Sequence, residues 1–374
     1  MWAVRGVLIG LVVVMGCRTP PPTPAIHPLS ADEFATTVQT ISEPPGYFDS
    51  DNFVSNETAY LHIVRTLQQV GAHDGVYVGV GPDQNFTYIA RIRPKLAFLV
   101  DIRRENLLEH LLFKALFEIA RTRQEYLSLL FSKPIRPDAG LGPTPSIQAM
   151  VDYFDRTPGD ERLYQNTLAR LTRSITAYRL NLSPDDFRTI QDTYRAFFTY
   201  HLDMRFEFKR PSLNGLNFPV YREFLLEKDL EGHQGNFLNS DDDFAFIKQM
   251  SANNLIIPIT GDFAGDKALA GVGAYIRDRG EAVSAFYLSN VEFYLVPNGR
   301  MDAFVQNVKR LPIHDRSVFI RAFVNLQSAS HPERVDQYLL TPTLQYIRSV
   351  LRLYDAGRYR TYWDIGTADY IRSR

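Results

Sequence analysis

The sequence predicts an α/β protein in which a doubly wound, mainly parallel sheet is interrupted by a mostly helical insertion. Short apolar strands alternate with helices before residue 131 and again after residue 241. This order is typical of parallel strands joined by right-handed crossovers. Residues 132–240 instead contain loops rich in proline and glycine, followed by amphipathic helices. We therefore expect one α/β domain in two parts, residues 30–131 and 241–374, around this insertion.

The first part is predicted to hold two strands and three helices. Residues 60–70 have the apolar spacing of a helix. Residues 76–80 form a strand that Gly81 and Pro82 end, and residues 96–100 form a second strand that ends in Asp101. A helix through residues 86–90 lies between the strands, and a long amphipathic helix covers residues 107–120. Opposite its apolar stripe this helix carries charged residues: Glu109, Lys114, Glu118 and Arg121.

The insertion is predicted to contain two amphipathic helices. One runs through residues 168–178. The other begins at Ser183, with Pro184 at the first helical position and Asp186 three residues after the serine. Serine at the N-cap, proline next and an acid at the third position are signals of a helix start. We expect the aromatic stripe of this helix to belong to the core.

The second part returns to the alternation of strands and helices. Ser240 caps a helix through residues 244–250, and a strand over residues 255–259 ends in Gly261-Asp262. A helix over residues 267–279 follows. Two further strands are predicted at residues 283–287 and 318–323, and the C-terminal segment is predicted to be helical through residues 344–354.

The N-terminus has the pattern of a bacterial lipoprotein signal. Arg5 precedes an apolar run over residues 6–16, which is too short to span a bilayer comfortably. The run leads to Cys17, the only cysteine of the chain, in the lipobox-like string VMGC. We expect residues 1–17 to be a signal peptide and Cys17 to be lipidated. The alternatives are an ordinary secretory signal and a short core segment that happens to contain cysteine.

A proline-rich segment follows the cysteine. Residues 18–29 include the string TPPPTP, which stays extended and predicts a tether. Arg18 stands where an aspartate would favour retention in the inner membrane. We therefore expect a lipid anchor at the bacterial outer membrane, on the periplasmic or the surface face.

The composition argues against several classes of function. A net charge of −1 and the lack of a basic stripe argue against nucleic-acid binding. A single cysteine excludes a disulfide framework within the chain and a cysteine-based metal site. The eight histidines are scattered, so no metal cofactor is predicted. The sequence contains none of the P-loop, GxSxG and HExxH motifs.

The strand ends carry the functional signal. They read Gly79-Val80-Gly81, Asp101, Gly261-Asp262 and Ser289-Asn290. In open parallel sheets, ligands bind at the carboxyl ends of the strands. Glycine turns let the backbone approach a ligand, and acids at strand ends can accept hydrogen bonds from ribose hydroxyls or an adenine amino group. Glycine and aspartate also follow strands for reasons of turn chemistry alone.

This order resembles that of the class I S-adenosylmethionine-dependent methyltransferases, which have a Rossmann-type fold. VYVGVGPD at residues 76–83 is similar to their glycine-rich first motif, and Asp101 and Asp262 are similar to their ribose and adenine acids. FYLSN at residues 286–290 resembles the fourth motif, beside the acceptor. The resemblance implies S-adenosylmethionine as cofactor, bound by Gly79, Gly81, Asp83, Asn85, Asp101 and Asp262. It implies an acceptor site at Tyr287, Asn290 and Glu292, with Glu292 as a possible proton acceptor.

The chain departs from these methyltransferases in three ways. Asp83 stands where a third glycine is usual, Tyr77 or Val78 replaces the acid that often precedes the glycines, and no β6–β7 hairpin is evident after Phe323. The expected location also conflicts with a cytoplasmic donor: either the pocket takes another ligand, or the activity is lost, or Cys17 does not direct export. The strings DNFVSNE at residues 51–57 and GDFAG at residues 261–265 also resemble a family of functionally uncharacterised bacterial proteins. Two functions stay open: methyl transfer to an unknown small-molecule acceptor, and a non-enzymatic surface or periplasmic binding module that keeps the fold as a scaffold.

Overall fold

A computed structural model describes residues 26–138, 140–210, 218–325 and 330–373 of the chain. Six strands within these residues form one sheet: β1 (Val76–Gly79), β2 (Leu96–Asp101), β3 (Ile256–Thr260), β4 (Val283–Ser289), β5 (Ile313–Val324) and β6 (Leu340–Tyr346). Their order is β3-β2-β1-β4-β5-β6. Strands β1 to β5 are parallel, and β6 is antiparallel to β5. The predicted α/β architecture with a mainly parallel sheet is therefore confirmed.

Strands β1, β2 and β3 are apolar because helices cover both faces of the sheet. Every residue of β1, β2 and β3 is buried, which explains why these segments read as continuous apolar runs and do not alternate. The chain proceeds from β1 outward to β2 and β3, and then crosses to β4 on the other side of β1. The carboxyl ends of β1 and β4 thus flank a topological switch point, where such sheets bind ligands.

The helices of the described residues occupy most of the remaining chain. Before the insertion they are α1 (Ala31–Ile41), a 3₁₀ turn (Ala59–Ile63), α2 (Val64–Gln69), α3 (Gln84–Ile92), α4 (Arg104–Ile119) and α5 (Arg123–Phe131). Between α5 and β3 lie α6 (Ile147–Arg156), α7 (Glu161–Ala177), α8 (Pro184–Tyr200), α9 (Tyr221–Leu226) and α10 (Asp241–Ala252). The later ones are α11 (Ala268–Arg277), α12 (Val291–Leu295), α13 (Met301–Lys309), α14 (Ile347–Asp355) and α15 (Tyr362–Thr367).

The start of α8 follows from its capping residues. Ser183 Oγ accepts a hydrogen bond from the Asp186 backbone N–H at 3.1 Å, and the Asp186 carboxylate accepts one from the Ser183 N–H at 2.8 Å. This reciprocal capping box satisfies two backbone donors that the first helical turn leaves unpaired. The helix start predicted at Ser183 is confirmed.

Helix α4 is buried on part of its charged side as well as on its apolar side. Glu109 is 0% exposed and Lys114 is 6% exposed, because α7, α8 and α10 pack around this helix. The Lys114 ammonium donates to the Ser251 carbonyl oxygen at 2.6 Å and lies 4.7 Å from the centre of the Tyr178 ring. Two of the four charged residues predicted for this face, Glu109 and Lys114, are therefore buried against neighbouring helices, whereas Glu118 and Arg121 are exposed.

The C-terminal segment differs from its prediction. Leu344 lies in β6 and pairs with Ile320 of β5, and the helix begins only at Ile347. Leu340 and Leu344 are buried in β6. Pairing with β5 therefore makes a strand of residues whose apolar spacing also fits a helix.

The predicted lipidation site lies outside the described residues. These begin at residue 26, after Cys17 and after most of the predicted tether. In the part of the chain that the structure describes, no helix has the length and the apolar character needed to cross a membrane.

Candidate functional site

A cavity of about 370 Å³ lies at the carboxyl ends of β1 to β4. Five predicted site residues line it: Gly81, Asp101, Asp262, Tyr287 and Asn290. They come from four strand ends that are far apart in sequence. The fold therefore brings the predicted donor and acceptor residues to a single site, at the switch point between β1 and β4.

The loop after β1 is shaped by Asn85. Its amide nitrogen donates to three carbonyl oxygens, those of Val80 at 2.9 Å, Gly81 at 3.1 Å and Pro82 at 2.7 Å. Its amide oxygen accepts from the Tyr77 hydroxyl at 2.8 Å. Asn85 is fully buried, so it holds the loop from below and does not line the cavity.

Two glycines allow this loop to form. A Cβ atom at Gly79 would overlap the Asn85 side-chain oxygen, so Gly79 gives room to the residue that holds the loop. Gly81 has φ +81°, and a Cβ atom there would meet only Asn52 Nδ2 at 3.8 Å. This left-handed conformation favours glycine, and it leaves open space above the loop on the cavity side.

His110 supports the same loop from α4. Its Nε2–H donates to the Gly81 carbonyl oxygen at 2.9 Å. Burial lowers the pKa of His110 to about 4, so the imidazole is neutral near pH 7.

Asp101 at the end of β2 lines the cavity together with Arg103. Asp101 Oδ1 accepts from the Arg103 backbone N–H at 2.9 Å and lies 3.3 Å from Arg103 Nε. Arg103 Nη1 also donates to the Asp51 carbonyl oxygen at 2.6 Å. The predicted ribose acid is thus present at the cavity, and an arginine orients its carboxylate.

Asp262 after β3 is held by neighbours on both sides. Its Oδ1 accepts from the Ala264 N–H at 2.8 Å, and its Oδ2 lies 3.3 Å from Arg300 Nη2. The Glu43 carboxylate accepts from the Asp262 N–H at 2.6 Å and from the Lys267 N–H at 3.2 Å. Glu43 therefore fixes the turn that presents Asp262 to the cavity.

Asp83 is not part of the cavity lining. It is fully buried, and its Oδ2 accepts from the Tyr221 hydroxyl of α9 at 2.5 Å. Burial raises the pKa of Asp83 to about 7. The residue in the place of the third glycine thus contacts the helices of the insertion, and its side chain contributes no contact to the cavity.

Glu292 also lies outside the cavity lining. Its carboxylate accepts from Arg321 Nε at 2.5 Å, and both side chains are at most 4% exposed. Arg321 Nη1 donates to Gln345 Oε1 at 2.6 Å. Because the first turn of α12 directs Glu292 against β5, this acid pairs with an arginine and does not face the predicted acceptor.

A buried carboxyl group lies behind the part of the cavity wall formed by the end of β4. Glu57 is 2% exposed. Its Oε1 accepts from the Tyr287 hydroxyl at 2.7 Å and from Ser289 Oγ at 2.5 Å, and its Oε2 accepts from Gln84 Nε2 at 2.9 Å. Burial raises the pKa of this carboxyl group above its ordinary value. Tyr287 and Ser289 separate it from the cavity, which they line.

Aromatic side chains form another part of the wall: Tyr47, Phe48, Phe206 and Tyr294. Phe48 and Tyr294 meet edge to face with their ring centres 5.2 Å apart. Tyr47 is 72% exposed, which places it at the rim. Aromatic walls with a few convergent polar groups are typical of small-molecule sites.

Comparison with known proteins places the chain in a family. Residues 52–136 and 153–362 match the model of a family described as Domain of unknown function (DUF7790). The chain belongs to the DUF7790 family. None of the curated proteins that we searched matches it.

The DUF7790 match includes Glu57, Asp101, Asp262 and Asn290 but begins after Tyr47. Sequence reasoning missed Glu57 as a site residue, because residues 51–57 have neither strand nor helix periodicity. The string DNFVSNE was a signal, since it combines small polar residues with an acid. It gave no indication of contact with β4, which lies 230 residues further along the chain.

Proposed function

We propose that this protein binds S-adenosylmethionine in the cavity and transfers its methyl group to an acceptor beside Tyr287 and Asn290. The observation that carries this proposal is the convergence of Gly81, Asp101, Asp262 and the β4 end on one cavity. Its volume of about 370 Å³ falls within the range of small-molecule sites, roughly 300–1,000 Å³.

The residues present fit the donor. The open space above Gly81, beside the start of α3, suits a carboxylate group, since helix N-termini attract anions. Asp101 offers a charged acceptor for ribose hydroxyls. Asp262 and Phe263 offer a carboxylate and an aromatic face for the adenine ring.

The sheet supports the methyltransferase-like reading of the fold. Its order from β3 to β5 continues into one antiparallel edge strand, β6. This arrangement resembles that of class I methyltransferases, which have a β6–β7 hairpin at that edge of the sheet. In the described residues, the single antiparallel strand β6 lies at this edge beside β5.

The chain can promote methyl transfer mainly by positioning its reactants. When bound, S-adenosylmethionine supplies an activated methyl group on a sulfonium ion. The residues of the cavity would hold the donor and the acceptor next to each other and would exclude water from between them. Such positioning converts a bimolecular step into an effectively unimolecular one, which contributes up to roughly 7–11 kcal/mol to lowering a barrier.

A non-enzymatic binding module is the second candidate. Asp101 and Asp262 each face an arginine, Arg103 and Arg300. A ligand must therefore share both carboxylates with cations that already contact them. Because these arginines compete with a nucleoside for the two carboxylates, the arrangement favours a binding module that has kept the fold but has lost affinity for the nucleoside.

We propose the bacterial outer membrane as the location, through a lipid on Cys17. The apolar run before this cysteine and the proline-rich segment after it support the proposal. S-adenosylmethionine is made in the cytoplasm, so a lipid-anchored enzyme would need a separate supply of the donor.

Calorimetry tests the methyltransferase proposal. The full chain, purified in mild detergent, should bind S-adenosylmethionine and S-adenosylhomocysteine. Asp101→Ala should weaken binding about ten- to hundredfold, the equivalent of a lost hydrogen bond to a charged group. Asp192→Ala, an exposed position on α8, should leave the affinity unchanged. A folded wild-type chain that binds neither ligand would favour the non-enzymatic module.

A further inference from the structure

Glu57 is buried among neutral partners. Its two carboxyl oxygens accept hydrogen bonds from a tyrosine, a serine and a glutamine. Taking a carboxylate out of water is costly when no cation balances it. A carboxyl group in such a place is poised to change its protonation state, which is a property of acid–base sites.

Two hydroxyl groups, those of Tyr287 and Ser289, lie between Glu57 and the cavity. The Tyr287 hydroxyl donates to Glu57 and accepts from Gln84 Nε2 at 2.9 Å, so both of its functions are engaged. Ser289 Oγ donates to the same Glu57 oxygen, and Ser289 is partly exposed at the cavity. The oxygen of Ser289 can therefore accept a proton from a molecule in the cavity while its own proton moves to Glu57.

The backbone at Ser289 is held in an uncommon conformation. Its φ is +51°, a left-handed value that costs energy for residues other than glycine. Strained residues of this kind gather at functional sites. Here the strain occurs at the residue that lies between the cavity and Glu57.

We propose that the methyl acceptor is a hydroxyl or amine group whose proton leaves through Ser289 to Glu57. This inference rests on the proposed methyl transfer. The acceptor heteroatom forms a bond to the methyl carbon, and the carbon–sulfur bond breaks with its electron pair going to sulfur. The acceptor proton passes to Ser289 Oγ as the serine proton passes to Glu57 Oε1. The products are the methylated acceptor, neutral S-adenosylhomocysteine and a protonated Glu57.

This route selects a class of substrate. A hydroxyl or amine must lose a proton when it is methylated, whereas a thioether has none to lose. Ser289 is the group that touches the acceptor, and Glu57 is a positioning residue that acts through it. Glu57 also fixes the direction of the Tyr287 and Ser289 hydroxyls.

Among the residues that the structure describes, the other titratable groups that interact with Glu57 are tyrosines. Tyr77 and Tyr88 face it from β1 and α3, Tyr287 from β4 and Tyr362 from α15. Burial raises the pKa of each of these phenols, so all four stay neutral between pH 5 and pH 8. A pH dependence in that range would therefore not come from these phenols.

A pair of donor analogues tests the inference without knowledge of the acceptor. Sinefungin carries an ammonium group where S-adenosylmethionine carries its methyl group, and S-adenosylhomocysteine carries nothing there. With the full chain at pH 8, we expect sinefungin to bind about tenfold more tightly than S-adenosylhomocysteine, because an ionised Glu57 behind Tyr287 and Ser289 would attract the ammonium. The preference should decrease as the pH is lowered, once Glu57 gains a proton.

Variants separate the possible outcomes. Glu57→Gln should abolish the preference and its pH dependence while the affinity for S-adenosylhomocysteine stays the same, and Glu57→Asp should restore part of it. Glu227→Gln, at a partly buried acid outside the cavity lining, should leave the preference intact. Should Glu57→Gln fail to fold, Ser289→Ala should lower the preference instead.

Two results would overturn the inference. The first is a preference for sinefungin in Glu57→Gln equal to that of the wild type. If Glu57→Gln does not fold, the same result in Ser289→Ala counts. Either would show that Glu57 does not act on the acceptor side. The methyltransferase proposal would survive this result. Failure of both ligands to bind the folded wild type would remove the methyltransferase proposal itself, and this inference with it.

Discussion

Arg103 Nε lies 3.3 Å from Asp101 Oδ1, and only 5% of each side chain is exposed. The pair sits at the end of β2, where the sheet meets the cavity. Arg103 also joins this point to the segment before α2 through the Asp51 carbonyl oxygen. The orientation of the proposed ribose acid therefore depends on a buried cation.

Removing this cation should destabilise the fold. We expect Arg103→Ala to lower the free energy of unfolding by about 3–5 kcal/mol, because Asp101 would stay buried without its charged partner. Urea denaturation measures the change. Arg188→Ala, which breaks an exposed pair with Asp185, should cost no more than about 1 kcal/mol. Equal losses of unfolding free energy in the two variants would show that the pair of Asp101 and Arg103 behaves as an exposed ion pair.

Glu292 should matter for stability and not for ligand binding. Glu292→Gln leaves Arg321 buried beside a neutral group, so we expect a loss of about 3–5 kcal/mol in the free energy of unfolding. The affinity of the folded variant for S-adenosylhomocysteine should match that of the wild type. If the variant kept its stability but bound the ligand more weakly, Glu292 would instead be part of the acceptor site.

Asp83 should make the fold less stable as the pH rises. Its pKa is about 7 in the folded protein and about 3.9 in an unfolded chain. Between these values the unfolded chain releases the Asp83 proton while the folded protein keeps it. Stability should fall by about 1.4 kcal/mol per pH unit from about pH 4 to about pH 7, and then level off.

The variant Asp83→Asn isolates this contribution. Its free energy of unfolding, minus that of the wild type, should increase from pH 4 to pH 7. Chemical denaturation at several pH values gives the difference, and Asp192→Asn is the exposed control. A difference that stays flat with pH would mean that Asp83 ionises normally in the folded protein.

The lipid anchor can be tested at Cys17. We expect Cys17→Ser to move the protein out of the membrane fraction of a bacterial host, because the residue that would be lipidated is gone. Immunoblots of membrane and soluble fractions measure this. Unchanged membrane association of the variant would contradict the anchor.

The strands and several helix starts could be predicted because their signals are local. The apolar runs at β1 and β2 are buried on both faces, and Ser183 caps α8 with the residues beside it. The site at the strand ends was partly predictable for a related reason. Parallel strands place their carboxyl ends at one edge, so Asp101, Asp262 and Asn290 had to lie near each other.

The remaining features depend on partners that are distant in sequence. Helix α4 shows charged residues on one side, and nothing within it indicates that Glu109 will be fully buried. From the sequence alone, Glu292 resembles an acid of the predicted acceptor site. Its partner Arg321 comes from a different strand, β5. Glu57 becomes a site residue only through Tyr287 and Ser289.

A crystal structure of the chain with S-adenosylhomocysteine tests the central claim most directly. We expect the ligand in the cavity, with its ribose hydroxyls within hydrogen-bonding distance of Asp101, about 2.5–3.0 Å, its adenine beside Asp262 and Phe263, and its sulfur directed toward Tyr287 and Ser289. A cavity that stays empty at saturating ligand, or a ligand bound elsewhere on the protein, would contradict the account.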